Sequence, residues 1–275
     1  MSHFERGLSF ADYIRLGRWN HSALKHAERS PAHAKAATLA GGADTEATVL
    51  GRAVHAVLLD DQPERIIDAP INPRTNQAFG VETKAYAEFV GGCDPSAIVV
   101  GLGMRNKIAM IAMSVREHPQ ARKLLAAAGD SELTCMFDYR GLACKARLDR
   151  WCSCGITPDI KTCRDASRAG FSRSVIDYSY HTQSEFYRIA ARASGLGDGD
   201  FCFIAIETEP PFGVAVYSID EPTRRVARVL IDLWVDSIKR AEDAGHFDCY
   251  PRGVIEIGAP SWYLKQFDTI EGGEE

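Results

Sequence analysis

The four residues Pro158-Asp159-Ile160-Lys161 constrain this chain more than any other part of its sequence. Alternate residues of a β-strand point to the same face, so a strand here places the carboxylate of Asp159 beside the ammonium group of Lys161 and turns Ile160 into the core. The run therefore combines an oxygen ligand for a divalent cation with a cation that can orient or activate water. Asp149 ends the preceding strand-like run, 142–148, and could supply a second metal-binding oxygen.

Composition places the chain among globular proteins. Its 275 residues are 45% hydrophobic and 25% charged, which suits one large domain or two small ones. No apolar run approaches the roughly 18–20 residues that a membrane helix needs, and the first ten residues lack the apolar centre of a signal peptide. We therefore expect a cytoplasmic protein without a membrane partner.

Eight cysteines raise the question of a metal cluster. Without a secretion signal, a disulfide framework is not expected. Cys144, Cys152, Cys154 and Cys163 crowd around the motif residues with the spacing C-x7-C-x-C-x8-C. Because this spacing contains no C-x2-C pair, we favour free, mostly buried cysteines over a zinc or iron–sulfur site, which stays as an alternative.

The distribution of charge along the chain is uneven. The net charge is −5, yet segment 145–173 holds seven basic and three acidic residues, a local balance of +4. Two of those three acids are Asp149 and Asp159. A basic surface around an acidic metal pocket suits an enzyme that acts on a phosphate backbone, and an ordinary solvated charged face is the alternative.

Hydrophobic periodicity and turn residues predict helices first, then a strand cluster, then helices with further strands. The predicted helices are 23–29, 46–59, 81–90, 104–118, 120–128, 164–176, 178–194 and 221–244, and the predicted strands are 132–139, 142–151, 156–162, 201–207 and 212–219. Segment 31–45 is expected as a loop or loosely helical, 68–80 as a polar loop, and the tail after 258 as irregular. The order predicts one α/β domain, with an N-terminal helical part (1–130), core motifs (131–220), a C-terminal helix and segment (221–265) and a disordered tail (266–275).

The chemistry that these residues allow is metal-assisted hydrolysis. Mg²⁺ prefers hard oxygen ligands, and it can activate water and neutralise a phosphate. The candidate ligands are Asp149, Asp159 and the carbonyl oxygen of Ile160, with Lys161 beside the attacking water as orienter or general base. His55 lies on a predicted helix with a partly apolar face, where a histidine alone is more often a core residue. As a ligand it would also make Mn²⁺ acceptable.

A further polar pair follows the strand cluster. Gln183 and Tyr187 are four residues apart on a predicted helix and so share one face. Gln183 could hold a ligand carboxylate, a water or a phosphate, and Tyr187 could pack or hydrogen-bond beside it. Tyr180, in the same segment, is a supporting candidate. An ordinary amphipathic helix would explain the same pattern.

The order of these motifs gives the chain a family likeness. It resembles the PD-(D/E)xK nuclease superfamily, and within it the exodeoxyribonuclease VIII (RecE-type) family, from about residue 23 to residue 263. The matching stretches are 50–59 (LGRAVHAVLL), 72–76 (NPRTN), 141–149, 158–162, 177–187, 250–252 and 259–262. Several ordered motifs over most of a chain are more specific than any one of them.

This resemblance implies a restriction-endonuclease-like core, with a central mixed sheet flanked by helices. It also implies Mg²⁺-dependent degradation of linear double-stranded DNA from its 5′ ends, which leaves 3′ single-stranded tails for recombination; Mn²⁺ could substitute for Mg²⁺. The implied partners are double-stranded DNA ends, a single-strand annealing protein and further copies of the chain in a ring.

Site residues carry over by matched position. The metal ligands are then His55, Asp149 and Asp159, the activating lysine is Lys161, and the Gln-x-x-x-Tyr motif of RecB-type exonucleases falls on Gln183 and Tyr187. Glu132 is a further acidic support, and the candidate DNA contacts are Arg74, Lys84, Arg147, Arg164 and Arg168. Leu148 stands where the superfamily has a proline before its first acid, and Pro158, which cannot donate to a sheet ladder, precedes the second acid instead.

Two other classes of protein stay open. One is a catalytically silent DNA-binding module, although every matched chemical position is filled, whereas a decayed site usually loses one. The other is an endonuclease or an iron–sulfur-bearing relative with the same fold. The site residues alone do not separate an endonuclease from an exonuclease, because the two share their chemistry.

Overall fold

The computed structural model describes residues 2–39, 45–60 and 62–267. Its helices are α1 (Phe10–Arg15), α2 (His21–Leu24), α3 (Pro31–Leu39), α4 (Glu46–Leu58), α5 (Lys84–Gly91), α6 (Leu102–Glu117), α7 (Pro119–Ala126), α8 (Arg168–Asp177), α9 (Tyr180–Ala193), α10 (Glu221–Asp243) and α11 (Ser261–Leu264). Its strands are β1 (His3–Glu5), β2 (Ile66–Asp68), β3 (Ile71–Asn72), β4 (Gln77–Ala78), β5 (Ile98–Val100), β6 (Gly129–Tyr139), β7 (Leu142–Cys152), β8 (Ile156–Cys163), β9 (Asp200–Glu207) and β10 (Val214–Tyr217). This order confirms the α/β class.

Two three-stranded sheets form the centre of the fold, in the orders β1-β6-β7 and β10-β9-β8. The first sheet is antiparallel, whereas the second is mixed, because β8 runs parallel to β9 and β10 runs antiparallel to it. The expected central mixed sheet is thus divided in two. Strands β7 and β8 lie side by side where the sheets meet, and the backbone N–H of Ile160 donates to Asp149 Oδ2 at 2.9 Å.

Helices cover these sheets because the strands are apolar on the faces they present. In β9, residues 201–206 are all buried, as expected for a parallel strand covered on both faces. Helices α4 and α6 share one apolar cluster with β8 and β9, while α9 and α10 share another with β6 and β7. The parallel pair β8 and β9 requires a long crossover, and α8 and α9 form it.

Short polar side chains cap the N-termini of several helices. The Thr45 side chain accepts from the backbone N–H of Thr48, whose hydroxyl accepts in turn from Thr45, so a capping box begins α4. The Asn20 side chain accepts from the backbone N–H of Ala23 and begins α2. Asp220 caps α10, with Pro222 in its first turn. These caps hold the helices that carry the site residues described below.

The N-terminal segment is attached to the first sheet by a buried lysine. The Lys145 ammonium group, on β7, donates to the carbonyl oxygens of Tyr13 (2.7 Å), Ile14 (3.2 Å) and Leu16 (2.9 Å) at the end of α1. A cation favours the carbonyl end of a helix, and the Tyr13 ring centroid lies 4.6 Å from Nζ. Lys145 therefore attaches α1 to β7, the strand that also carries Asp149.

The structure differs from the sequence prediction at several short elements. Strands β1 and β5 and helix α1 were not predicted, and the predicted loop 68–80 contains the small hairpin β3–β4. The segment expected to be at most loosely helical begins with α3, and its residues 40–44 lie outside the described part. The tail includes the one-turn helix α11, and of the predicted disordered tail, 268–275 lie outside the described residues.

The helices of the described residues are short or polar compared with membrane-spanning helices. None of them is both long enough and apolar enough to cross a bilayer.

Removing the aromatic ring of Phe186 should destabilise the protein strongly. This α9 side chain is fully buried, and its ring centroid lies 5.3 Å from that of Phe137. Phe186→Ala should lower the free energy of unfolding by about 3–5 kcal/mol, because it removes apolar contact and leaves a cavity. Urea denaturation would measure this change. An equal change for Phe10→Ala, at an exposed ring, would contradict the assignment of the core.

Burial of His21 should make the protein sensitive to mild acid. Burial lowers the pKa of His21 to about 3, helped by the charge of Lys25, and the ring nitrogen Nε2 is 2.9 Å from Thr182 Oγ1. Since the unfolded chain takes up this proton near pH 6.5, stability is full above that pH and falls below it. Between pH 6.5 and 5, His21 should contribute a loss of about 1.5 kcal/mol.

The comparison of variants isolates this effect. His21→Gln should show a smaller loss of unfolding free energy between pH 6.5 and 5 than the wild type, and His246→Gln, at an exposed histidine, should follow the wild type. Parallel pH curves for His21→Gln and the wild type would show that His21 is not held neutral.

Candidate metal centre and active site

Three side chains from separate elements converge where the two sheets meet. They are His55 of α4, Glu132 of β6 and Asp149 of β7, whose potential ligand atoms all lie within 4.8 Å of one another. His55 Nε2 is 3.6 Å from Asp149 Oδ2, and His55 Nδ1 is 3.9 Å from Glu132 Oε1. The carbonyl oxygen of Ile160 lies 3.4 Å from His55 Nε2. One nitrogen and several oxygen donors therefore face a common space.

An unusual backbone conformation brings Glu132 into this group. The ladder between β6 and β7 pairs Ser131 with Arg150 and Leu133 with Leu148, which leaves Glu132 and Asp149 opposite each other between these pairs. Glu132 has φ +52°, in the left-handed region that side-chain-bearing residues seldom adopt. Such strain costs on the order of 1–3 kcal/mol and is concentrated at functional sites. The sequence ranked Glu132 as a support only, and nothing in its local pattern signals this conformation.

Asp159 lies fully buried beside this group and is held by two polar side chains. Lys161 Nζ is 2.6 Å from Asp159 Oδ2, and Gln183 Nε2 donates to Asp159 Oδ1 at 3.2 Å. Burial raises the pKa of Asp159 and the charge of Asp149 adds to the rise, while Lys161 opposes it. Within the described part of the chain, Oδ2 receives no hydrogen bond of ordinary geometry. The Lys161 ammonium group is therefore the close partner of this oxygen in the described residues.

Lys161 is held by charge and by aromatic rings. Burial would lower its pKa, but the carboxylates of Asp159 and Asp149 raise it above the ordinary value. Its Nζ lies 4.9 Å from the centroid of the Tyr180 ring and 6.0 Å from that of Phe203. These rings favour a cation over their faces, so the ammonium group is kept in place beside Asp159.

The face that Gln183 and Tyr187 share on α9 is turned towards Asp159. Burial raises the pKa of Tyr187 well above its ordinary value, and the Tyr187 hydroxyl contacts Gln183. The Tyr187 ring packs edge-on against Phe201, with centroids 6.1 Å apart. Tyr187 therefore supports Gln183 from the core side, and Gln183 reaches the buried carboxylate.

The charges around His55 and Glu132 are balanced inside the site. Burial would lower the pKa of His55, but Asp149 and Glu132 raise it to about 9. Burial would raise the pKa of Glu132, but His55 and Arg147 lower it. Arg147 Nε binds Glu132, and its Nη1 donates to the carbonyl oxygen of Leu8 at 2.8 Å. The Arg147 side chain is 16% exposed and orients Glu132, and its role in DNA binding stays a prediction.

The other four candidate DNA contacts are exposed. Arg74 lies in the β3–β4 turn, where its backbone N–H bonds Asn72, and Lys84 pairs with Glu88 at 3.5 Å along α5. Arg164 and Arg168 lie between the end of β8 and the first turn of α8, close in sequence to Lys161. The contacts of Arg74 and Lys84 are thus local, and a role in DNA binding stays a prediction for all four.

The cysteines do not form a metal cluster in the described residues. All eight are free thiols, with Cys144 and Cys152 buried, Cys163 half-buried and Cys154 exposed. The group of His55, Glu132 and Asp149 is the sole set of three metal-binding side chains close enough to share an ion in the part of the chain that the structure describes. The iron–sulfur alternative therefore has no structural support.

The donor set fits a hard divalent cation. Carboxylate oxygens and a backbone carbonyl are the ligands that Mg²⁺ takes, and an imidazole nitrogen also suits Mn²⁺. The oxygen of Asp159 that lacks a hydrogen bond adds a further donor beside the group. The residues that would hold the ion are His55, Glu132, Asp149 and Asp159, with the carbonyl oxygen of Ile160.

Comparison with protein families identifies the class. Residues 20–243 match the family described as "PDDEXK-like domain of unknown function (DUF3799)", and the chain belongs to this family. The PD-(D/E)xK superfamily and the restriction-endonuclease-like core are thereby confirmed. Membership of this family supports a nuclease. No curated protein matches the sequence.

A solved structure shows the same fold at low sequence identity. The structure of a protein from Eubacterium rectale named "Putative exonuclease" superposes with a TM-score of 0.62 at 10% identity, covering 94% of this chain and 98% of that one. A second structure, named SSO0001, aligns at 14% identity over 85% of this chain and 87% of the SSO0001 chain. Its TM-score of 0.30 supports no shared fold. The first likeness concerns the fold alone.

Neutralising Glu132 should weaken metal binding. Glu132→Gln keeps the size of the side chain and removes one anionic donor, so the affinity for Mn²⁺ should fall at least about tenfold. Isothermal titration calorimetry with MnCl₂ would measure it. Asp138→Asn, at an exposed position on the same strand, is the matched control and should bind Mn²⁺ as the wild type does. Equal affinity in both variants would remove Glu132 from the ligand set.

Proposed function

We propose that this protein is a metal-dependent exodeoxyribonuclease of the RecE type, which hydrolyses linear double-stranded DNA from its 5′ ends. The observation that carries the proposal is the buried pair of Asp159 and Lys161, fixed by Gln183 next to His55, Glu132 and Asp149. A structural ion pair would not need four further polar groups around it. A phosphodiester-cleaving centre has a use for each of them, as a metal ligand or as a group that orients one.

A bound Mg²⁺ or Mn²⁺ would supply an activated water and neutralise the charge that develops on the phosphate. The protein's own groups have separate tasks. The Lys161 ammonium group, 2.6 Å from Asp159, donates to the attacking water or to a phosphate oxygen and so orients it. Gln183 fixes one oxygen of Asp159 by donating to it, which leaves the other oxygen for Lys161 and for the ion that Asp159 would help to hold.

Arg147 and Ile160 position the ligand groups. The Arg147 guanidinium binds Glu132 and is anchored on the carbonyl oxygen of Leu8, so it sets the direction of the carboxylate. The Ile160 N–H holds Asp149 Oδ2, and its carbonyl oxygen faces His55. Fixed ligand orientations of this kind lower the cost of reorganisation during the reaction.

The finer parts of the proposal rest on the resemblance to RecE-type enzymes. They are the 5′-to-3′ direction, the 3′ single-stranded tails for recombination, the assembly into a ring, the annealing-protein partner, Mg²⁺ as the natural ion and a cytoplasmic location. The name of the Eubacterium rectale protein agrees with an exonuclease. The exposed Arg164 and Arg168, beside the strand that carries Lys161, are proposed to meet the DNA backbone.

DNA degradation should distinguish the proposal from its alternatives. Linear and covalently closed circular duplexes, labelled at the 5′ or the 3′ end, would be incubated with Mg²⁺ or with EDTA. We expect metal-dependent loss of linear DNA only, with the 5′ label released first. Cutting of closed circles would indicate an endonuclease, and an absence of cleavage would indicate a silent DNA-binding module.

Replacing either member of the buried pair should abolish hydrolysis. Asp159→Asn and Lys161→Ala should each lower the rate on linear DNA at least about 100-fold, because one removes a proposed ligand and the other the proposed water-orienting donor. The exposed positions Asp177→Asn and Lys123→Ala are the controls and should keep wild-type rates. Circular dichroism would verify that the inactive variants are folded. Wild-type rates in Asp159→Asn or Lys161→Ala would refute the site.

A further inference from the structure

An arginine-rich cavity lies away from the metal-binding group, between the second half of α9 and the first turns of α10. Its volume is about 270 Å³. The arginines in its walls are Arg188, Arg192, Arg224, Arg225 and Arg228, and three carboxylates accompany them. The cavity therefore has a net charge of +2, although the whole chain has a net charge of −5.

The carboxylates do not use all the donors of these arginines. Arg228 is satisfied, because it binds the carboxylate of Glu185 through two nitrogens. Arg188, with a side chain only 14% exposed, differs: its nearest carboxylate oxygens are 3.5–3.9 Å away. These distances exceed those of ordinary N–H···O hydrogen bonds, and within the described residues Arg188 makes none. A largely buried guanidinium is thus left without close acceptors.

Arg224 also has a donor without an acceptor. Its Nη2 pairs with Glu221 at 2.7 Å, but its Nε is buried and has no acceptor within the part of the chain that the structure describes. Arg188 and Arg224 also line a smaller adjoining cavity of about 110 Å³, whose rim carries the exposed Asp200. Since buried N–H groups are almost always paired, the unpaired Nε of Arg224, beside an Arg188 whose carboxylates all lie at 3.5 Å or more, indicates a missing acceptor.

We propose that Arg188 and Arg224, with Arg192 and Arg225 at the mouth, form a binding site for a phosphate group. The planar fork of a guanidinium matches the oxygens of a phosphate, and the positive end of α10 faces the same cavity. A water takes up about 30 Å³ in the liquid, so the volume admits a phosphate with part of the molecule attached to it. The phosphate could come from a DNA backbone or from a free phosphate compound.

The position of the cavity separates it from the proposed active site. Glu185, Arg188 and Arg192 lie three and four residues apart and share one face of α9, whereas Gln183 and Tyr187 share the opposite face. The phosphate site is therefore distinct from the metal-binding group. Its existence does not depend on the proposed nuclease function.

Calorimetric titration with inorganic phosphate would test the site. The full chain would be titrated at constant ionic strength with EDTA present, so that no metal ion can hold the phosphate. We expect saturable binding by the wild type and at least a tenfold loss of affinity in Arg188→Gln/Arg224→Gln. The control Arg116→Gln, at an exposed arginine of α6, should bind as the wild type does. An absence of saturable binding, or equal affinity in the double variant, would overturn the proposal.

A second variant tests the site even if the double variant does not fold. Arg225 has a side chain 67% exposed, so Arg225→Gln should fold normally and still bind phosphate several-fold more weakly. If the double variant fails to fold, wild-type phosphate affinity in Arg225→Gln would overturn the site.

Measuring DNA affinity in EDTA over a range of salt concentrations would show whether the site takes the phosphate of a DNA backbone or of a free phosphate compound. If the site takes DNA backbone, Arg225→Gln should weaken DNA binding and reduce its salt dependence by about one unit of slope. If the site takes free phosphate compounds, phosphate affinity falls in this variant while DNA affinity does not. Hydrolysis of DNA by the wild type has no bearing on either result, so failure here and failure of the nuclease proposal are distinguishable.

Discussion

The buried ion pair of Asp159 and Lys161 is the interaction that the surrounding structure must stabilise most. Removing such ions from water costs several kcal/mol each, and only close geometry with additional hydrogen bonds offsets it. Asp159 and Lys161 meet this condition at 2.6 Å, with an amide from Gln183 on one side and the Tyr180 ring on the other. Helix α9 supplies both of those groups, so its position against β6, β7 and β9 determines how well the buried pair is held.

The sequence was sufficient to predict that Asp159 and Lys161 lie side by side, but it did not predict all the side chains around them. Strand alternation predicted that Asp159 and Lys161 share a face, and helical spacing predicted that Gln183 and Tyr187 share another; both pairs have this geometry. Each rule depends only on local periodicity, which the backbone obeys wherever the element forms. The roles of these side chains in catalysis stay predictions.

What the sequence did not show depends on contacts between distant residues. Glu132 joins the metal-binding group through a left-handed backbone conformation, which propensity does not anticipate in a strand. The contacts of Arg147 with Glu132 and with the carbonyl oxygen of Leu8 were likewise not predicted, because they join residues far apart in the sequence. Strand β1 and helix α1 are too short to have a periodic signal, and their placement relies on β6 and on Lys145. The 10% identity to the Eubacterium rectale protein shows how little sequence the shared fold needs.

The attachment of the N-terminal segment has a practical consequence for anyone producing this protein. Lys145 holds the end of α1, and two residues along the same strand Arg147 holds both Leu8 and the carboxylate of Glu132. The chain before α1 is thus joined to the metal-binding group through Arg147, in addition to the pairing of β1 with β6. A purification tag or fusion partner placed before residue 3 would lie next to these contacts, whereas the described residues after α11, 265–267, make no comparable connection. Recombinant material is better tagged there.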